Sequence, residues 1–184
     1  MKINMPEPVA YALAVLKNNG FEAFIVGGCV RDSIMNKEPY DYDITTNATP
    51  QQVISSFSGE TVIETGLKHG TVTVLINKTP IEVTTYRVDG IYSDNRRPDS
   101  VEFTLCLKDD LSRRDFTVNA LAYNDEAGII DCFNGLSDLE NELIRCVGDP
   151  DSRFKEDALR LLRALRFSSV LDFDIEENTK NSIH

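Results

Sequence analysis

Basic charge is in short supply in this sequence: 19 Lys plus Arg stand against 30 Asp plus Glu over 184 residues, a net charge of −11. A surface that grips a nucleic acid backbone along its length should be basic. Any such contact is therefore confined to a patch, or is carried by sequence outside this stretch. Histidine is rarer still, with His69 and His184 alone, and Cys29, Cys106, Cys132 and Cys146 are scattered without a Cys-x-x-Cys pair. That spacing argues against a zinc site and against a disulfide framework, and it fits reduced thiols in a cytoplasmic protein. No apolar run is long enough to span a membrane, and Met1-Lys2-Ile3-Asn4 lacks a signal-peptide core, so no membrane partner is expected. Internal repeats, low-complexity tracts and Pro/Ser-rich linkers are missing too.

What is present is ordinary globular material, 41% hydrophobic and 27% charged. The length suits one good core, or one domain and the start of another. Val9 to Leu16 has helical spacing, with Asn19-Gly20 as its stop. Ala23–Val26 and Tyr40–Thr45 read as strands with a short helix between them, and Thr49-Pro50-Gln51-Gln52 starts another helix. Thr71–Ile76 and Ile81–Tyr86 form a hairpin around Asn77-Lys78-Thr79-Pro80. Asp89 to Asp110 is polar and aperiodic, a loop of a length that is usually functional or mobile. Leu121–Tyr123 and Gly128–Asp131 suggest a second hairpin, and Phe154 to Val170 one helix. The expected fold class is α/β: a mixed sheet with flanking helices over residues 1–148, then the start of a helical region over 149–184. Asp174–His184 has the look of a helix opening at which the sequence stops, so a longer parent protein is expected.

The chemistry concentrates in two short pieces. Phe24-Ile25-Val26 breaks into Gly27-Gly28-Cys29-Val30-Arg31-Asp32, and a strand that turns through glycines into a helix exposes N–H groups suited to phosphate. Downstream, Asp41-Tyr42-Asp43 lies in a run of strand composition. Residues i and i+2 of a strand project from one face, and two parallel carboxylates attract hard cations such as Mg²⁺. A phosphate cradle followed by a carboxylate pair suggests nucleotidyl transfer assisted by two metal ions. Gly-Gly-x-Val-Arg-Asp followed by Asp-x-Asp resembles the first signature motif of the class II tRNA nucleotidyltransferase and bacterial poly(A) polymerase family. That family belongs to the DNA polymerase beta-like nucleotidyltransferases.

Other residues join these. Glu82 is a candidate third carboxylate, because Ile81, Val83 and Thr85 take the opposite strand face; an exposed strand glutamate is the alternative. Arg31 lies one turn into the helix after the glycines, near where a triphosphate would sit. Ser112–Ala120 carries a basic pair at a helix start, and it resembles the family's Arg-Arg-Asp-Phe-Thr-x-Asn-Ala motif. The resemblance makes Arg114 and Asp115 nucleotide contacts and Asn119 structural support. Glu156–Phe167 reads locally as an amphipathic helix with an apolar stripe of Ala158, Leu161, Leu162 and Leu165 and i,i+3 ion pairs. It also resembles the family's nucleotide-selecting Glu-Asp-x-x-Arg motif, which implies a nucleotide-facing Asp157 and Arg160, with Arg163 and Arg166 beside them. Cytosine and adenine both present an amine next to an unprotonated ring nitrogen. A carboxylate accepts from the first and a guanidinium donates to the second, so Asp157 and Arg160 form a protein template for C and A.

Thr65–Val74, Tyr86–Gly90 and Arg97-Pro98 are similar to the CCA-adding branch of the family, and the similarity runs from Phe21 to Phe167. It implies a head that adds C, C and A to tRNA 3′ ends from CTP and ATP with two Mg²⁺ ions. The alternatives are a poly(A) polymerase, a split CC-adding or A-adding enzyme, and a nucleotide-binding module without turnover. Oligomeric state is left open by the sequence.

Overall fold

The structure is a computed structural model that describes residues 2–96 and 98–183. The first half contains α1 (Glu7–Asn18), β1 (Ala23–Val26), α2 (Gly28–Ile34), β2 (Asp43–Thr46), α3 (Pro50–Ser56), β3 (Thr61–Ile63), β4 (Thr71–Ile76) and β5 (Thr79–Thr85). Then come β6 (Arg87–Asp89), β7 (Val101–Phe103), α4 (Leu107–Ser112), β8 (Leu121–Asn124), β9 (Gly128–Asp131), α5 (Gly135–Glu140) and β10 (Leu143–Ile144). The chain closes with α6 (Pro150–Glu156), α7 (Leu159–Leu171), β11 (Asp174–Ile175) and α8 (Glu177–Asn181).

A seven-stranded sheet in the order β3-β4-β5-β2-β1-β8-β9 carries the fold. Every neighbouring pair is antiparallel except β2 and β5, which run parallel. That mixed α/β architecture is the expected one. β1 is buried along its whole length, as its unbroken apolar run requires, whereas β4 alternates half-buried with buried residues. One apolar cluster runs from Val9, Ala12 and Leu16 of α1 through Ile25, Ile44 and Val83 of the sheet to Phe154, Ala164 and Phe173. Thr49 and Gln52 close a capping box at the start of α3, each side chain satisfying the other's backbone N–H.

Four local expectations need correction. The strand expected over Tyr40–Thr45 begins only at Asp43. Its partner β1 runs out at Val26, opposite Asp43, because Gly27 turns the chain at φ 82°. The hairpin turn is just Asn77 and Lys78, both at positive φ, so Thr79 and Pro80 already belong to β5. The expected loop Asp89–Asp110 contains β7 and the start of α4, which leaves 90–96, 98–100 and 104–106 as its irregular parts among the described residues. Arg97 of the Arg97-Pro98 pair, with Met1 and His184, lies outside the described residues.

The helix expected over Phe154–Val170 is two helices, broken where Asp157 adopts an extended backbone (φ −140°, ψ 103°). The break turns a different face inward. Arg160, Ala164 and Leu171 are the buried positions of α7, while Leu165 is exposed and Leu162 is 63% exposed. The apolar stripe read from spacing is therefore largely on the surface.

Candidate active site

Asp43 opens β2 and pairs in parallel register with Glu82 of β5, so the two carboxylates stand on adjacent strands. Asp43 is exposed, but partial desolvation of its carboxyl, aided by the negative charge of Glu82 and Asp41, raises its pKa to about 6 against the pull of Arg114. Asp41 lies before the strand and is exposed. The three acids thus gather at one end of the central strands, although not by the i, i+2 strand geometry expected for Asp41 and Asp43. Their mutual repulsion is what a divalent cation would relieve, and hard oxygen donors suit Mg²⁺. Among the described residues, no three His, Cys, Asp or Glu side chains are already drawn into a ligand cage.

Next to Asp43, across β1, the chain turns at Gly27. Space there is taken by arginine: a Cβ on Gly27 would sit 3.3 Å from Nη1 of Arg114, and one on Gly28 3.7 Å from Nη2 of Arg31. Arg114 pairs with Asp110 at 3.5 Å, and its Nε finds no hydrogen-bond partner among the described residues. Arg31 is buried and committed: Nη1 donates to Asn119 at 2.6 Å and Nε to Asp32 at 2.8 Å. Asp115 is similarly engaged, accepting from the Phe116 N–H, from Asn119 and from Nε of Arg163 at 2.7 Å. Asp115 and Asn119 therefore bridge α2 to α7. Phe167 completes that bridge, lying between Arg31 and Arg163 with their guanidinium carbons 5.3 and 5.1 Å from its ring centre. Arg166 is exposed and stands apart from these contacts.

A cleft of about 620 Å³ leads from Glu82 past Arg87, Arg113 and Tyr92 to Asp157 and Arg160. Asp157 and Arg160 do not form the i,i+3 pair of the simple helix reading. Asp157 caps α7 by accepting from the Leu159 N–H at 2.9 Å, and Arg160 donates to Glu156 at 2.5 Å and to the Arg113 carbonyl at 3.2 Å. Both side chains remain on the cleft wall. Tyr92 faces Arg160 at 6.0 Å and donates to Asp89; burial and that bond push its hydroxyl up to about 12. A larger hollow of about 720 Å³ between α1 and the β8–β9 turn has a mostly apolar lining and none of the residues singled out above.

Sequence reasoning missed Asp110. It is fully buried, yet it accepts from the Thr45 hydroxyl at 3.0 Å, the Arg87 N–H at 3.3 Å and Nη2 of Arg113 at 2.7 Å. Burial alone would raise its pKa, but Arg113 and Arg114 outweigh that and hold it below the usual carboxylate range. The partner on β2 lies 65 residues away in sequence, so no local pattern announces it.

A mixed sheet ending in crowded carboxylates, beside a glycine turn flanked by arginines, is the layout of a nucleotidyltransferase head. Residues 23–145 match the Poly A polymerase head domain, and the chain belongs to that family. It is 51% identical over 171 residues to the CCA-adding enzyme of Lactobacillus helveticus, covering 93% of this chain and 42% of the relative. The CCA-adding enzyme of Lactobacillus johnsonii is 50% identical over 187 residues, covering 100% of this chain and 46% of the relative. Among solved structures, the Bacillus stearothermophilus CCA-adding enzyme in complex with CTP superposes with a TM-score of 0.87 at 40% identity, over 97% of this chain and 43% of that one. A tRNA nucleotidyltransferase complexed with a primer tRNA and an incoming ATP analog gives 0.75 at 34% identity, over 94% of this chain and 48% of that one. The chain spans less than half the length of these relatives.

Proposed function

We propose that this chain is the nucleotide-adding head of an enzyme that builds C, C and A onto tRNA 3′ ends from CTP and ATP. The observation that carries the reading is the register that sets Asp43 beside Glu82, from which a cleft leads to the separate side chains of Asp157 and Arg160. Asp41, Asp43 and Glu82 would hold two Mg²⁺ ions, which when bound neutralise triphosphate charge and favour the deprotonated 3′-hydroxyl. Arg114 and the Gly27–Gly28 turn receive the phosphates, and Arg31 braces that turn through Asp32 and Asn119. The 3′-hydroxyl oxygen of the primer attacks the α-phosphorus, a phosphodiester forms, and pyrophosphate leaves. Asp157 accepts from the exocyclic amine of C or A while Arg160 donates to the adjacent ring nitrogen. Uracil and guanine present the opposite polarity and leave both groups unpaired, which costs binding. Residues 1–148 form this head and 149–184 begin a helical neck. The CTP and primer-tRNA complexes of the structural relatives support the substrate assignment.

The test supplies the parent protein with a tRNA lacking its terminal nucleotides, CTP, ATP and Mg²⁺. Addition that stops after C, C and A supports the reading. Open-ended growth from ATP alone would make it a poly(A) polymerase, addition of only C or only A a split enzyme, and no addition a binding module.

A further inference from the structure

Asp110 is an ionised carboxylate in the interior that the nucleotide chemistry itself does not use. Its Oδ2 accepts from the hydroxyl of Thr45, two residues along β2 from Asp43, so the strand fixes one carboxylate relative to the other. Its Oδ1 takes Nε and Nη2 of Arg113 at 3.1 and 2.7 Å. The Arg87 N–H also donates to Oδ1 at 3.3 Å, and Arg114 pairs through Nη2 at 3.5 Å. That guanidinium also leans over Gly27, the residue after the one that pairs with Asp43, and Asp43 feels its charge. Two carboxylates thus compete for Arg114, and in this structure it pairs with Asp110.

We propose that Asp110 is a positioning residue: its charge holds Arg114 away from Asp43, keeping Asp43 open to a divalent cation and Arg114 open to phosphate. This rests on the reading of Asp43 as a cation ligand. The two arginines differ in where they could go without Asp110. Arg113 has Asp89 at 4.0 Å as a second anion. Arg114 has Asp43, and a charge-assisted Arg–carboxylate pair is strong enough to compete with a weakly held ion. Loss of the Asp110 charge would therefore turn Arg114 from a substrate ligand into an internal competitor for the metal site.

The experiment measures Mn²⁺ binding by the chain without nucleotide, by paramagnetic resonance of free Mn²⁺, with folding checked by circular dichroism. Asp110→Asn should weaken Mn²⁺ by roughly tenfold or more, the scale of one strong ion pair. Adding Arg114→Gln should restore it, because the competitor is gone. If Asp110→Asn fails to fold alone, Arg114→Gln and Asp110→Asn/Arg114→Gln still decide. They should bind Mn²⁺ within about twofold of each other, since Asp110 acts only through Arg114. A folded Asp110→Asn that binds like the parent, or a double variant that stays weak beside Arg114→Gln, overturns the proposal. Asp43→Asn is the control: if it binds Mn²⁺ like the parent, the cation-site reading falls and takes this proposal with it.

Discussion

The guanidinium of Arg31 lies 5.3 Å from the ring centre of Phe167, which joins the helix after the glycine turn to the helix that carries Arg160. Arg163 covers the ring at 5.1 Å, and Phe116 meets it edge-on at 5.8 Å. The phosphate end and the base end of the cleft are therefore coupled through one aromatic ring. Phe167→Leu should remove cation–π contacts of about 0.5–2 kcal/mol in all. We expect weaker binding of all four nucleotides and partial rescue by Phe167→Tyr, both read by titration calorimetry. Normal affinity in Phe167→Leu would show that the two ends are fixed independently.

Asp41→Ala or Asp43→Ala should abolish transfer with CTP and with ATP, while circular dichroism stays native. Retained incorporation in Mg²⁺ by either variant would remove it from the metal site. Stability gives a second readout. The folded pKa of Asp43 is raised from 3.8 to about 6, so its stabilising contribution belongs to the protonated form. That contribution is present below the unfolded value and lost as pH rises through the folded one. Asp43→Asn, neutral throughout, should melt slightly higher than the parent at about pH 8 and no higher at about pH 4, the gain kept small by the exposure of Asp43. Thermal melts at the two pH values check this.

Nucleotide choice separates Asp157 from Arg31. Asp157→Ala should relax discrimination against UTP and GTP by about ten- to a hundredfold, the 1–3 kcal/mol scale of one bidentate base contact. Arg31→Ala should weaken all four nucleotides alike, because the turn it braces meets the phosphates, and phosphate contacts carry no base information. Incorporation of each nucleotide by both variants is the measurement. Unchanged preference in Asp157→Ala would reduce that side chain to the cap of α7.

Gly27 sits at φ 82° with Arg114 packed where a side chain would begin. Gly27→Ala should cost about 1–3 kcal/mol for the backbone alone, because φ 82° with ψ −131° is a conformation that side chains other than hydrogen resist. It should also displace Arg114 and lower triphosphate affinity. Denaturant melts and nucleotide titrations report the two effects separately, and a variant with parental values in both would dissociate the turn from the site.

Features with a local cause were legible in the sequence. The buried run Ala23–Val26, the β-branched hairpin strands and the Thr49–Gln52 capping box all follow from neighbouring residues. The Gly27–Asp32 and Asp41–Asp43 pieces meet where β1 ends and β2 begins. Features set by tertiary contacts were not legible. Leu162 and Leu165 have core spacing, but the face of α7 that turns inward is the one whose Arg160 is paired with Glu156 and whose Phe167 is packed between guanidinium groups. Asp115 and Arg163 read as separate contacts and are an ion pair across 48 residues.

Among the described residues, one backbone bond from outside fastens the break between α6 and α7, the Ala158 N–H donating to the Asn95 carbonyl at 3.0 Å. Such a bond contributes only about 1 kcal/mol net, far less than a whole domain resists. Local opening of that bond needs no unfolding of the sheet. The amide proton of Ala158 becomes a clock for that motion: it should exchange with solvent far sooner than the amides of β1, and bound nucleotide should slow it.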